Sequence, residues 1–154
     1  MSSIAKDGLA RWHGIVGKMT PETLDAMLAD DVVFHSPVVH TPQEGKALTK
    51  LYLMAAFNVF PGDAAAGEGK VSAEPASLSK AESKFRYVRE VVGDRDAVLE
   101  FVTEIEGISV NGVDMIRWND DGLIEDFKVM IRPLKAIQKI HAQMGRMLEA
   151  MKQA

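Results

Sequence analysis

The chain has 154 residues, of which 47% are hydrophobic and 26% are charged, with a formal net charge of −4. This length suits one globular domain over residues 1–154, and the acidic balance without a Lys/Arg stripe argues against a nucleic-acid partner. The absence of cysteine excludes disulfides, thiolate catalysis and zinc–thiolate sites. No apolar run has the length of a membrane span or the character of a signal peptide, so we expect a soluble, cytoplasmic protein with no membrane partner.

The first part of the chain predicts two helices. Ile4 to Met19 has apolar residues at helical spacing, although three glycines weaken this helix and make it dependent on tertiary contacts. The Thr20-Pro21-Glu22 stretch resembles a helix start, with a hydroxyl cap and a proline in the first turn. We expect this second helix to end at Ala29 to Asp31.

A short strand and a buried helix follow. Val32 to Ser36 alternates as a strand, with Phe34 and Ser36 on one face and His35 on the other, and Pro37 stops it. A loop is expected over residues 38–44. Lys46 to Phe60 then predicts a third helix that is apolar on nearly every side and therefore buried.

Gly62 to Lys84 has a different composition from its neighbours. It is small and polar and contains few large hydrophobic side chains. We interpret it as a mobile connection within one domain, because neither half of the chain is complete without the other.

The second half predicts an antiparallel sheet. Phe85 to Val92 and Ala97 to Ile105 form an expected hairpin, and the second strand alternates so that one face is dry. Gly107 is expected to form a bulge before a short strand at Ile108 to Val110.

The stretch from Gly112 to Pro133 predicts another hairpin. An Asn111-Gly112 turn is expected to lead into a strand at Val113 to Trp118. Residues 119–122 reverse the chain, with a positive φ expected at Gly122, and a strand follows at residues 123–131. Asp114 is notable because its neighbours in the first strand are apolar.

A closing helix is predicted over residues 133–151. It has one apolar stripe, rich in methionine, formed by Leu134, Ile137, Ile140, Met144, Met147, Leu148 and Met151. This stripe can cover the sheet of its own subunit, cap a pocket mouth or pack on a partner.

Two segments carry a family resemblance: ADDVVFHSPV at residues 29–38 and GVDMIRWNDDGLI at residues 112–124. In this order and separation they resemble the SnoaL-like family (polyketide cyclases and ketosteroid isomerase-like proteins) of the nuclear transport factor 2-like superfamily. The resemblance implies an α+β fold, in which a curved antiparallel sheet packs on three N-terminal helices as a cone with a pocket. The closing helix is an addition to that cone. It also implies a homodimer through the outer face of the sheet.

The resemblance can be carried to individual residues. The isomerases of this family hold an oxyanion-hole aspartic acid at the position of Asp114, and the apolar site keeps that acid protonated. Their general-base aspartate corresponds to Ser36, and their oxyanion tyrosine corresponds to Trp12. Because serine is not a base without a partner and indole offers only an N–H, ketosteroid isomerisation itself is not expected.

The candidate catalytic residues are Asp114, His40 and Ser36. Asp114 is either a pocket acid with a raised pKa or a structural carboxylate bonded to a donor such as Ser36, Trp12 or backbone N–H. His40 is a candidate general base near the pocket mouth, or a surface histidine. His35 and His40 lack an evident third ligand, so no metal site is expected.

Aromatic and aliphatic residues are candidates for the pocket wall. They are Trp12, Tyr52, Phe34, Phe101, Phe127, Val129 and Ile131. The alternative is that they fill the core of the cone, which is the commoner role for such residues.

Two functions are therefore open. The first is binding of a small apolar polyketide-, steroid- or terpene-like molecule, with cofactor-independent acid–base chemistry. The second is a non-catalytic carrier or dimerisation scaffold with a structural Asp114.

Overall fold

The structure, a computed structural model, describes residues 3–16, 18–59 and 85–153. The connection predicted over residues 62–84 lies outside these ranges. Within them, no helix has the length and apolar content needed to cross a membrane.

Four helices are present in the described ranges: α1 (Ile4–Ile15), α2 (Pro21–Met27), α3 (Lys46–Val59) and α4 (Leu134–Gln153). The predicted cap of α2 is confirmed, because the Thr20 hydroxyl accepts a hydrogen bond from the Thr23 N–H at 3.1 Å. The predicted end of α1 is wrong by four residues, and the predicted end of α2, at Ala29 to Asp31, is wrong by two to four. In α2 the reason is Leu28, which already has extended backbone and is fully buried as the first residue of a strand.

Six strands form one sheet: β1 (Leu28–His35), β2 (Gln43–Glu44), β3 (Arg86–Val92), β4 (Asp96–Ile105), β5 (Ile108–Trp118) and β6 (Ile124–Arg132). Their order is β2-β1-β6-β5-β4-β3. β1 runs parallel to β6, with Phe34 beside Phe127, so the expectation of a purely antiparallel sheet is wrong at this pair. The remaining pairs are antiparallel. The α+β class, with a curved, unclosed sheet, is confirmed.

Three glycines were expected to shape the strand connections, and one expectation is confirmed. Gly122 has a φ of 79° in the turn before β6, as predicted. Gly107 is part of a tight turn and not a bulge, because Glu106 and Gly107 both have positive φ and Ile105 pairs with Ile108.

Gly112 is not in a turn. It lies within the continuous strand β5, where an added Cβ would be 2.5 Å from the Phe101 ring and 2.7 Å from the Met130 carbonyl oxygen. Glycine at this position therefore lets the Phe101 ring lie against the backbone of β5.

The core lies on the inner face of the sheet and has two parts. One part lies under α1, α2 and α3 and includes Trp12, Phe34 and Phe127. The other lies under α4 and includes Phe101 and Ile140.

Helix α4 packs on its own subunit. Ala136 and Ile140 are almost fully buried, and Met144 packs beside them, so this part of the helix covers the sheet. Leu134 is 69% exposed and does not belong to the buried stripe, contrary to the prediction.

Candidate functional site

A cavity lies where the two parts of the core meet. Its described lining is apolar except for one hydroxyl and one carboxyl group, and consists of Phe34, Ser36, Pro37, Val38, Leu53, Ala56, Phe85, Phe101, Asp114, Phe127, Val129, Ile131, Ile140 and Met144. The centre of a water molecule can reach about 40 Å³ of it, within about 570 Å³ of space that includes the open mouth. The part that water can reach therefore has room for roughly three water molecules.

Asp114 supplies the carboxyl group of this lining. It lies on β5 between Leu99 of β4 and Val129 of β6, on the face of the sheet that points inward, and is 7% exposed. Its Oδ2 accepts a hydrogen bond from the Tyr87 hydroxyl at 2.7 Å. No described residue donates a hydrogen bond to Oδ1. This oxygen is not fully buried either, so part of its surface is accessible.

The protonation of Asp114 is set by its surroundings. Burial in an apolar wall raises the pKa of its carboxyl from 3.8 to about 7, while the Tyr87 hydrogen bond acts in the opposite direction. Both forms of the carboxyl are consequently populated near neutral pH. An acid in this range can donate or accept a proton without a cofactor.

Tyr87, the partner of Asp114, was missed by the sequence analysis. It lies on β3 opposite Phe101, and the register of β3 shifts just after it. Its ring packs edge-on against Phe85 and Phe101, at centroid distances of 5.4 and 6.4 Å. Its period-two spacing from Phe85 could have placed Tyr87 on the inner face of the sheet. However, β3 is two strands away from β5, and the sequence does not show that the Tyr87 side chain extends across β4 to Asp114.

Trp12 lies behind Tyr87. Its indole N–H donates to the Tyr87 hydroxyl oxygen at 3.2 Å, and its ring packs on Phe127 at 5.2 Å. Trp12 is therefore connected to Asp114 through Tyr87 and does not line the cavity.

Ser36 stands at the end of β1 and lines the cavity together with Phe34, as their shared parity predicted. Its Oγ accepts hydrogen bonds from the backbone N–H groups of Val38 and Val39, at 3.0 and 3.3 Å. Since both acceptor positions face the chain, the hydroxyl hydrogen is the part of Ser36 that can turn to a ligand. It offers a donor, not a base.

Most of the predicted pocket residues are brought together, and two are not. Phe34, Phe101, Phe127, Val129 and Ile131 line the cavity with Ser36 and Asp114. Trp12 and Tyr52 belong to the surrounding core; the Tyr52 ring stacks on Phe34 at 5.5 Å.

The histidines lie outside the cavity. His40 is exposed and lines a second, open hollow with His35 and Lys128. His35 points away from Asp114 and forms a 2.9 Å contact with Asp126. Among the described residues, no three His, Asp or Glu side chains are grouped to hold a metal ion.

No protein-family model and no curated protein matches this sequence. Solved structures do. A steroid delta-isomerase from Pseudomonas aeruginosa is 31% identical, with a TM-score of 0.80 over 100% of this chain and 98% of that chain. This chain belongs to the SnoaL-like family of the nuclear transport factor 2-like superfamily.

Two further structures are similar to this SnoaL-like protein. A protein of unknown function with a cystatin-like fold, from Silicibacter pomeroyi, is 28% identical, with a TM-score of 0.72 over 90% of this chain and 83% of that one. A putative ketosteroid isomerase from Kribbella flavida is 14% identical, with a TM-score of 0.57 over 84% and 78%, and shows the fold alone. The family resemblance stated from the two sequence segments is confirmed.

Proposed function

We propose that the protein binds a small, mainly apolar molecule with a carbonyl or hydroxyl group and exchanges a proton with it through Asp114. The molecule belongs to the polyketide-, steroid- or terpene-like class, and the reaction is an isomerisation, cyclisation or hydrolysis without a cofactor. The observation that carries this proposal is a buried carboxyl in an apolar cavity, with one oxygen held by Tyr87 and the other open.

The chemistry follows from the two forms of Asp114. The neutral acid donates a hydrogen bond to a carbonyl oxygen. This favours enolisation when a water molecule from the open mouth takes the proton from the α-carbon, because charge that develops on the carbonyl oxygen is stabilised in a dry site. The carboxylate instead accepts from a hydroxyl group. The hydroxyl of Ser36 supplies a second donor within the same cavity.

The Pseudomonas aeruginosa relative supports this class of ligand, since it is described as a steroid delta-isomerase. The reaction proposed here differs in one respect. The family's base position is Ser36, whose oxygen already holds two backbone N–H groups, so a double-bond shift that needs a second carboxylate is not part of the proposal.

Binding is tested by comparing two ligands of similar size, acetophenone and toluene, which share a ring and differ in the carbonyl group. Isothermal titration at pH 6 should give tighter binding of acetophenone to the wild type. Asp114→Leu should remove that preference while leaving toluene binding. Thr103→Val is a matched control, because Thr103 is equally buried on the same face of the sheet and does not line the cavity. Equal affinities for both ligands in the wild type would contradict the site.

Proton transfer is tested by the exchange of the acetophenone methyl hydrogens with D₂O, followed by NMR. The proposal expects faster exchange with the wild type than with Asp114→Leu. Binding without exchange would instead support the second candidate, a non-catalytic carrier, which the serine at the base position favours.

The proposal includes a homodimer through the outer face of the sheet. Strand register places Val91 beside Val98, Val98 beside Met115, and Val113 beside Met130. Val91 is 58% exposed and Met130 is 48% exposed. Such an apolar patch is typical of a protein–protein contact.

A further inference from the structure

Trp12, Tyr87 and Asp114 form a chain of hydrogen bonds that runs from the indole to the carboxyl group. The indole N–H of Trp12 has no acceptor capacity, so it must donate to the Tyr87 oxygen at 3.2 Å. The hydroxyl hydrogen of Tyr87 then points to Asp114 Oδ2 at 2.7 Å. Each donor strengthens the next, because an oxygen that accepts a hydrogen bond becomes a better donor.

We infer that Trp12 and Tyr87 are positioning residues that keep Oδ2 an acceptor, so that the proton of neutral Asp114 is held on Oδ1, facing the cavity. A carboxyl proton on Oδ2 would place two hydrogens between the same pair of oxygens. Oδ1 receives no hydrogen bond from the described residues and keeps open surface. The ligand therefore meets a donor when the acid is neutral and an acceptor when it is ionised.

The surroundings contain no competing charge among the described residues. Helices α3 and α4 present Leu53, Ala56, Ile140 and Met144 to the cavity, and the neighbours of Asp114 in the sheet are Leu99 and Val129. The His13 ring lies edge-on to the Tyr87 ring at 5.8 Å, and its Nε2 lies 2.6 Å from Glu90 Oε2. Tyr87 is therefore the described residue whose side chain hydrogen-bonds to the Asp114 carboxyl group.

The role of the Oδ1 proton in ligand binding rests on the proposed function. The first test concerns the proton affinity of Asp114 alone and needs no ligand. Tyr87→Phe removes a donor to the charged form, so the proton affinity of the carboxyl, measured from the Asp114 ¹³Cγ resonance against pH, should rise about tenfold or more. Trp12→Phe should raise it about twofold, since it weakens the Tyr87 donor. The other tyrosine gives the matched control: Tyr52→Phe should leave the titration unchanged. An unchanged or lower proton affinity in Tyr87→Phe would overturn the inference.

Two further measurements keep the test independent of whether Tyr87→Phe folds. In the wild type, the Tyr87 hydroxyl should donate to Asp114 Oδ2 both above and below the pH at which Asp114 titrates. Loss of this donated hydrogen bond at acidic pH, with the carboxyl proton on Oδ2 instead, would overturn the inference. In Asp114→Asn, the amide carbonyl replaces Oδ2 and the amide N–H replaces the Oδ1 proton. This variant should bind acetophenone independently of pH, within about threefold of wild type at pH 5. If acetophenone fails to bind the wild type, the proposed function fails, whereas the carboxyl titration still decides the role of Tyr87.

Discussion

Asp114→Asn should change how the stability of the protein depends on pH. Burial raises the pKa of the Asp114 carboxyl from 3.8 to about 7 in the folded protein, whereas an unfolded chain has an ordinary aspartate. Between these values the folded state binds a proton that the unfolded state has lost. The stabilisation from this group is therefore present in full below about pH 4 and is lost as pH rises to about 7.

The magnitude follows from the size of the shift. A rise from 3.8 to about 7 corresponds to about 4 kcal/mol in the free energy of unfolding, and no large correction for solvent applies because the side chain is 7% exposed. Asparagine cannot titrate, but its amide still accepts from Tyr87. The stability of the wild type relative to Asp114→Asn should fall by about 4 kcal/mol between pH 4 and pH 8.

Urea unfolding of both proteins at four pH values measures this difference and cancels the other titrating groups, which the two proteins share. Thr103→Val serves as a second reference, since its curve should run parallel to that of the wild type at all pH values. A constant difference between wild type and Asp114→Asn over this range would refute the reasoning, because it would mean that Asp114 titrates alike in the folded and unfolded states.

Four further substitutions test the packing and the dimer. Gly8→Ala should lower the free energy of unfolding by about 1–3 kcal/mol, because its Cβ would be 2.3 Å from the buried Trp118 ring. Gly14→Ala in the same helix has open space around its Cβ and should raise the free energy of unfolding by up to about 1 kcal/mol. Urea unfolding of the two variants measures both effects. Gly112→Ala should cost about 2 kcal/mol or more and weaken acetophenone binding, since its Cβ would displace the Phe101 ring of the cavity wall; a stable variant with normal binding would contradict this. Val91→Glu should convert a micromolar dimer to a monomer in sedimentation velocity, and a monomeric wild type would show that the outer-face assignment is wrong.

Much of the fold could be predicted because local patterns and packing agree. The period-two alternation of β4 places Leu99 and Phe101 on the buried face, as observed, and Gly122 has the positive φ that its turn requires. Predictions failed where tertiary contacts overrode local chemistry. Asn111-Gly112 has the composition of a turn, but the glycine serves a close approach of the Phe101 ring within a continuous strand.

The candidate site was predictable in part for a similar reason. Asp114 and Ser36 could be selected because their position in a strand pattern, together with the family resemblance, puts them on the cavity face. Tyr87 could not be paired with Asp114, because their contact crosses the intervening strand β4 and depends on the register shift that follows Tyr87. His40 was predicted near the pocket mouth but does not line the cavity. A loop position in the sequence does not determine where the side chain points.

The central claim is that the open oxygen of Asp114 recognises the ligand in the apolar cavity. Its most direct measurement is the ¹³Cγ titration of Asp114 with and without acetophenone. We expect a midpoint near pH 7 in the free protein and a higher midpoint in the complex, because a ketone accepts a hydrogen bond from the neutral acid alone. A midpoint near pH 4, or one that stays unchanged while acetophenone binds, would show that Asp114 does not recognise the ligand in this way.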